Sequence, residues 1–156
     1  MDVMVVYDSV FGNTEKVAKA IGDAIHAQDA VATLRVSEVK PEQLKGLRLL
    51  VMGSPTRGFQ ATEGIQKFLK SMPDGALKGV RVAAFDTRSG VDEMKSGLLK
   101  FLMKTFGFAA PKIAGRLTAK GGELAVPPEW FVVTGTEGPL KEGELERAAI
   151  WAATLK

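Results

Sequence analysis

The run from Val3 to Tyr7, VMVVY, is apolar or β-branched almost without interruption, and a polar loop and an amphipathic stretch follow it directly. A strand with one wet face alternates apolar and polar residues, whereas a strand covered on both faces has no need to. This segment therefore belongs at the centre of a sheet with helices above and below. After SVFGN, residues 14–27 place Val17, Ala18, Ile21 and Ile25 on one side, with Glu15, Lys16, Lys19 and Asp23 opposite, the pattern of a surface helix.

The alternation continues along the chain. Residues 30–36 and 49–52 read as strands, joined by a linker with Pro41 and Gly46. A helix starting near Thr62 carries Ile65, Phe68, Leu69 and Met72 before the Pro73-Asp74-Gly75 turn, and residues 80–85 form the next strand. Met94, Leu98, Phe101, Leu102 and Phe106 trace a core-facing helical stripe that Gly107 closes. Pro111 opens a further helix, ended by Gly121 and Gly122. Residues 123–126 and 130–133 are extended pieces separated by Pro127 and Pro128, which marks an interrupted edge strand. A last helix over 142–155 turns Leu145, Ala149, Ala152 and Leu155 inward, with Trp151 flanking them and Glu142, Glu144, Glu146, Lys141 and Arg147 on a solvated face. Strands alternating with helices predict an α/β fold: one doubly wound, five-stranded parallel sheet with helices on both faces.

With 156 residues the chain is expected to form one domain over 1–156 with a self-sufficient core. It has no cysteine, which excludes thiol catalysis, thiolate zinc sites, iron–sulfur clusters and disulfides. His26 is its single histidine and reads as a surface residue; a multi-histidine metal site is impossible. Lys plus Arg number 21 against 18 Asp plus Glu, a formal charge of +3, and the basic residues are scattered rather than striped. Nucleic-acid binding is not expected. No stretch approaches the ~18 consecutive apolar residues of a membrane span, and MDVMVVYD lacks a signal core. A soluble, cytoplasmic protein with no membrane partner is the expectation.

In a doubly wound sheet the ligand crevice lies beyond the carboxyl ends of the strands. Three loops leave those ends. The first, Ser9, Val10, Phe11, Gly12, Asn13 and Thr14, offers hydroxyls, an amide and unobstructed backbone donors at a helix start, and can hold an anion without a paired cation. It is neither GxxxxGK[ST] nor GxGxxG. The second contains Ser54, Pro55, Thr56, Arg57, Gly58 and Phe59; Phe59 suits either a ring-covering role or a plug under the loop, and Gly58 allows close backbone approach. The third, Asp86, Thr87, Arg88, Ser89 and Gly90, can hydrogen-bond the polar edge of a heterocycle or merely cap its neighbours.

The segment YDSVFGNTEKVA resembles the phosphate-binding signature of flavodoxins and of flavodoxin-like domains in flavodiiron proteins, and GSPTRGF, AFDTR and EGPLKEGELERA resemble segments of stand-alone flavodoxin-family proteins. The resemblance covers essentially the whole chain. It implies strand order 2-1-3-4-5 and one non-covalent FMN, with residues 9–14 on its phosphate and residues 54–59 and 86–90 around its isoalloxazine ring. Two features depart from the family. The third loop has no aromatic residue to stack on the ring, which leaves either a more open flavin or that role for Phe59 or Trp130, and typical flavodoxins are acidic whereas this chain has a pI near 9.2. Arg57 or Arg88 near the ring would stabilise its reduced anion.

The resemblance implies an electron carrier working between redox partner proteins, as a monomer or weak homodimer. PTRGF also resembles FMN-dependent NAD(P)H:quinone oxidoreductases, and a cofactor-free interaction module on the same architecture is a third reading. A receiver domain is disfavoured because Ser54 stands where its acceptor Asp belongs.

Overall fold

The structure, a computed structural model, describes residues 2–26, 30–89, 97–98, 101 and 107–155. Val3–Tyr7 forms β1, buried at all five positions as a strand covered on both faces requires. It lies parallel between β2 (Val31–Arg35) and β3 (Leu49–Pro55), with Val3 opposite both Val31 and Leu49. β3 pairs in parallel with β4 (Arg81–Ser89). On its far side β4 carries two short parallel strands in tandem, β5 (Glu123–Leu124) and β6 (Glu129–Val133). The order is β2-β1-β3-β4-β5, with β6 beside β4. The expected fifth strand is thus two strands, split where Pro127 and Pro128 remove ladder donors.

Four helices are described: α1 (Asn13–His26), α2 (Glu63–Ser71), α3 (Ala109–Ala119) and α4 (Glu144–Ala153). Because strand side chains alternate, Val3, Val5, Tyr7, Val51 and Phe85 share one core with α1 and α4, and Met4, Val6, Leu50, Met52 and Val82 share the other with α2 and α3. The β2–β3 connection carries two short 3₁₀ turns, Val36–Glu38 and Pro41–Leu44, which bury Val36 and Leu44.

Several expectations need correction. β4 continues to Ser89 instead of stopping at Phe85, because β6 supplies a partner for Phe85–Ser89. Ser54 and Pro55, and Asp86 to Ser89, therefore sit on strand ends rather than on loops. The inward face of α4 is Ala148, Trp151 and Ala152, with Leu155 just beyond, whereas Leu145 is exposed. The Trp151 ring sets this phase by packing edge-on against Phe85 and Phe131, with centroids 6.2 Å from each. Glu144 is buried, not part of a solvated face, because the edge strand needs an acceptor: the Val132 amide donates to its Oε2 at 2.7 Å. Leu98 and Phe101, expected in the core, are exposed. The rest of the 94–106 stripe lies outside the described residues, as do Ala27 and Gly90.

Candidate functional site

The carboxyl ends of β1, β3, β4 and β6 converge on a cavity of about 280 Å³. Its walls come from the segments after β1 (Ser9, Val10, Phe11, Asn13, Thr14), at and after β3 (Pro55, Thr56, Arg57, Gly58), at the end of β4 (Thr87, Arg88, Ser89), and after β6 (Val133, Gly135, Thr136).

The first segment is held in an open turn. The Ser9 amide donates to Asp8 Oδ1 at 2.9 Å, and the Gly12 amide, at φ +93°, donates to Ser9 Oγ at 3.0 Å. The amides of Val10, Phe11, Asn13 and Thr14 have no acceptor among the described residues. Those of Asn13 and Thr14 open α1, where helix geometry leaves N–H groups unpaired and the dipole favours negative charge, and those of Val10 and Phe11 lie in the turn just before it. Thr14 Oγ1 lies 2.7 Å from Thr87 Oγ1, and Asn13 Nδ2 donates to the Glu137 carbonyl at 3.0 Å, so the segment is pinned to β4 and to the turn after β6. Asp8 is the hub beneath: Arg35 pairs with its Oδ1 at 3.1 Å and the Thr62 hydroxyl donates to its Oδ2 at 2.6 Å.

The second segment is a tight turn closed by reciprocal backbone bonds between Arg57 and Gln60 at 2.8 and 3.0 Å. Gly58 and Phe59 both have positive φ, at +52° and +69°, which costs Phe59 steric strain that glycine would escape. The Phe59 carbonyl accepts from Lys112 Nζ, and its ring is half-buried. Phe59 is not on the cavity wall, nor in either core cluster. Ser54 is also off the wall: it is fully buried, and its hydroxyl accepts from the Thr62 amide at 2.9 Å.

Asp86 is committed to the scaffold. Fully buried, it accepts Arg88 Nε and Nη2 at 2.7 and 2.6 Å and the Ala110 amide at 2.9 Å, while the Ala109 amide donates to Thr56 Oγ1 at 3.0 Å. Asp86 on β4 and Thr56 just after β3 thereby cap α3, and Phe108 at the cap position contributes no side-chain bond. Burial pushes the Asp86 carboxyl above its ordinary range, opposed by the Arg88 bond, the Ala110 amide and the Thr56 hydroxyl. Arg88 is held over the Phe108 ring, 3.4 Å from its centroid, and 4.9 Å from that of Trp130, whose ring is half exposed. Its charge is compensated by Asp86. Arg57 is different: it is exposed, stands 5.6 Å from the Phe11 ring centroid, and has no ion-pair partner among the described residues. No carboxylate lines the cavity among the described residues.

Val133, Gly135 and Thr136 were outside the three loops singled out from sequence. The same rule, that ligands lie beyond the carboxyl ends of parallel strands, applied to the last strand would have pointed to the GTEG turn.

A doubly wound sheet whose first strand-to-helix turn carries unpaired amides on residues that line a cavity at the strand ends is the architecture of a protein that binds a phosphate-bearing cofactor. The chain belongs to the flavodoxin family, whose sequence profile matches residues 5–151. Proteins of this family bind FMN. In fold the chain is similar to a flavodoxin from the domain Archaea, at 23% identity and TM-score 0.74, covering 99% of this chain and 96% of that one. It is also similar to oxidised flavodoxin 2 from Bacillus cereus, at 21% identity and TM-score 0.77, covering 99% and 97%. A third likeness is to rubredoxin oxygen:oxidoreductase from Desulfovibrio gigas, at 18% identity and TM-score 0.73, where this chain spans 99% of its own length but 35% of that protein. Comparison with curated protein sequences gives no match. No described helix is long and apolar enough to cross a membrane.

Proposed function

We propose that the chain is an FMN-dependent electron carrier that shuttles electrons between redox partner proteins. The observation that carries this reading is that Val10, Phe11, Asn13 and Thr14, whose amides have no acceptor among the described residues, line a cavity with no carboxylate on its described walls. A phosphate there is held by N–H donors, the Ser9 and Thr14 hydroxyls and the positive end of α1. Bound FMN supplies one- and two-electron chemistry, and the protein supplies position and electrostatics.

At about 280 Å³ the cavity falls just below the usual range for ligand sites, about 300–1,000 Å³, which suits gripping one end of a cofactor while the other stays open to a partner. On this reading Thr87, Ser89 and the 55–58 segment stand beside the ring, and the exposed Val10 and Phe11 form an apolar rim. The carrier is favoured over a stand-alone quinone reductase because no His, Asp, Glu, Lys or Tyr lines the described cavity to move a proton.

The test is a titration of apoprotein with FMN and with riboflavin, followed by flavin fluorescence. FMN binding at least about a hundredfold tighter than riboflavin is expected from several charge-assisted bonds to the phosphate. Equal affinities would remove the anion cradle from the argument. Sustained NAD(P)H oxidation by the holoprotein alone with a quinone would favour the enzyme.

A further inference from the structure

A second opening lies beyond the loop that walls the cofactor cavity. Between α2 and α3 a cleft of about 490 Å³ brings Lys70, Lys112 and Arg116 together with Gln60 and Gln66 around the apolar side chains of Leu69 and Ile113. No Asp or Glu lines it among the described residues. Lys70 and Arg116 are exposed and have no ion-pair partner among those residues. The acids nearest in sequence are taken: Glu63 pairs with Lys67 at 3.0 Å, and Asp74 with Lys120 at 3.5 Å. Lys112 donates to the Phe59 carbonyl, which positions its ammonium without neutralising it.

Three uncompensated cations in one cleft repel each other, and the shape concentrates their field, so the site attracts an extended anion. Lys112 and Arg116 are one helical turn apart on α3, and Lys70 stands across the cleft on α2, an arrangement that several carboxylates can meet at once. A more open depression joins this cleft to the cofactor cavity, sharing Ser9, Val10 and Arg57 with the cavity and Gln60, Ala61 and Gln66 with the cleft; Asp8 and Glu63 line the depression, so the uncompensated positive charge of Lys70, Lys112 and Arg116 is confined to the cleft itself. The described lining has no aromatic side chain, so it lacks the stacking platform of a single-strand nucleic-acid groove.

We propose that the α2–α3 cleft docks an acidic segment of a partner protein, a run of Asp or Glu carboxylates meeting Lys70, Lys112 and Arg116. That the partner is a redox protein rests on the electron-carrier reading; the acidic docking does not. Leu69 and Ile113 supply apolar contact beneath the charges, and the position beside the 57–60 turn brings the partner alongside the cofactor cavity.

The test uses ¹⁵N-labelled, FMN-loaded protein titrated with a hexaglutamate peptide. Amide shifts are expected at residues 60–70 and 112–116, with the flavin absorbance unchanged. The double variant Lys70→Glu/Arg116→Glu should weaken peptide binding by about tenfold or more, while Lys45→Glu/Lys78→Glu, an equal change of net charge at exposed positions off the cleft, should change it by less than about threefold. Shifts centred elsewhere, equal losses in the two double variants, no peptide binding, or displacement of the peptide by a lower concentration of inorganic phosphate or of a single-stranded oligonucleotide would overturn the proposal. Failure to take up FMN would instead count against the carrier reading, and the peptide shifts would still decide the cleft.

Discussion

Arg57 and Arg88 look alike in the sequence, each following a threonine at the end of an apolar strand, and the surroundings separate them. Arg88 is locked between Asp86 and the Phe108 ring, so its charge adds little to the cavity; Arg57 keeps its own. Arg57→Gln should therefore make the couple that forms the reduced, anionic ring more negative, by on the order of 1 kcal/mol because the side chain is exposed and screened. A potentiometric titration that finds the couple unmoved counts against Arg57 as the source. Asp86→Ala acts on stability instead. It strands the buried Arg88 guanidinium and uncaps α3, which should cost about 3–5 kcal/mol in urea unfolding. The sequence offered Asp86 and Arg88 as ring contacts or as mutual caps; which of these the Asp served depended on where α3 begins, twenty-odd residues further along, and no local pattern carries that. Gly53 is a plainer case. A Cβ there would stand 2.0 Å from the Phe85 ring, so Gly53→Ala should lower stability by about 1–3 kcal/mol through overpacking.

The elements legible in advance were those whose burial pattern is set by their own residues. β1 is an uninterrupted apolar run, α1 has a clean stripe, and α2 begins where Thr62 supplies its hydroxyl to the Ile65 amide at 3.3 Å. Those read wrongly took their form from a neighbour: β4 is lengthened by β6, and α4 is rotated by the Trp151 contacts with Phe85 and Phe131. Glu144 gives the link between α4 and β6 a pH signature. Its carboxyl is held below the ordinary range, chiefly by the Arg147 hydrogen bond and, against the cost of burial, by the Val132 amide. A carboxyl lowered on folding contributes stability that is present above its unfolded value, near 4.5, and is lost as pH falls through the folded value. Glu144→Gln should thus be less stable than the native chain at pH 6, with the gap closing below about pH 4. Urea midpoints across that range measure it; a constant gap would mean that the side chain acts by shape alone. Some acid sensitivity remains in the variant, because Glu15, hydrogen-bonded by Tyr7, is also held low.

Across the whole molecule, two apolar cores lie on either side of one sheet, and the strands end together at the cavity, so the sheet positions every wall of the site at once. That is why the site's location followed from strand order while its membership did not: the rule fixes which edge of the sheet binds, but the turn after β6 joins only because β6 resumes the broken edge strand beside β4. The same construction links cofactor binding to global unfolding. The cradle amides come from the turn after β1 and the first residues of α1, the opposing wall from the end of β4, and the Thr14–Thr87 contact bridges them, so an unfolded chain presents no cradle. A ligand that binds only the folded chain stabilises it by about 2.7 kcal/mol at a hundredfold excess over its dissociation constant. For a chain of this size that corresponds to a rise of roughly 5–10 °C in melting temperature. FMN should produce that rise, and riboflavin at the same concentration, without the phosphate, should give a much smaller one. If the two flavins raised the melting temperature equally, the ring-facing walls, and not the start of α1, would be the source of the binding energy.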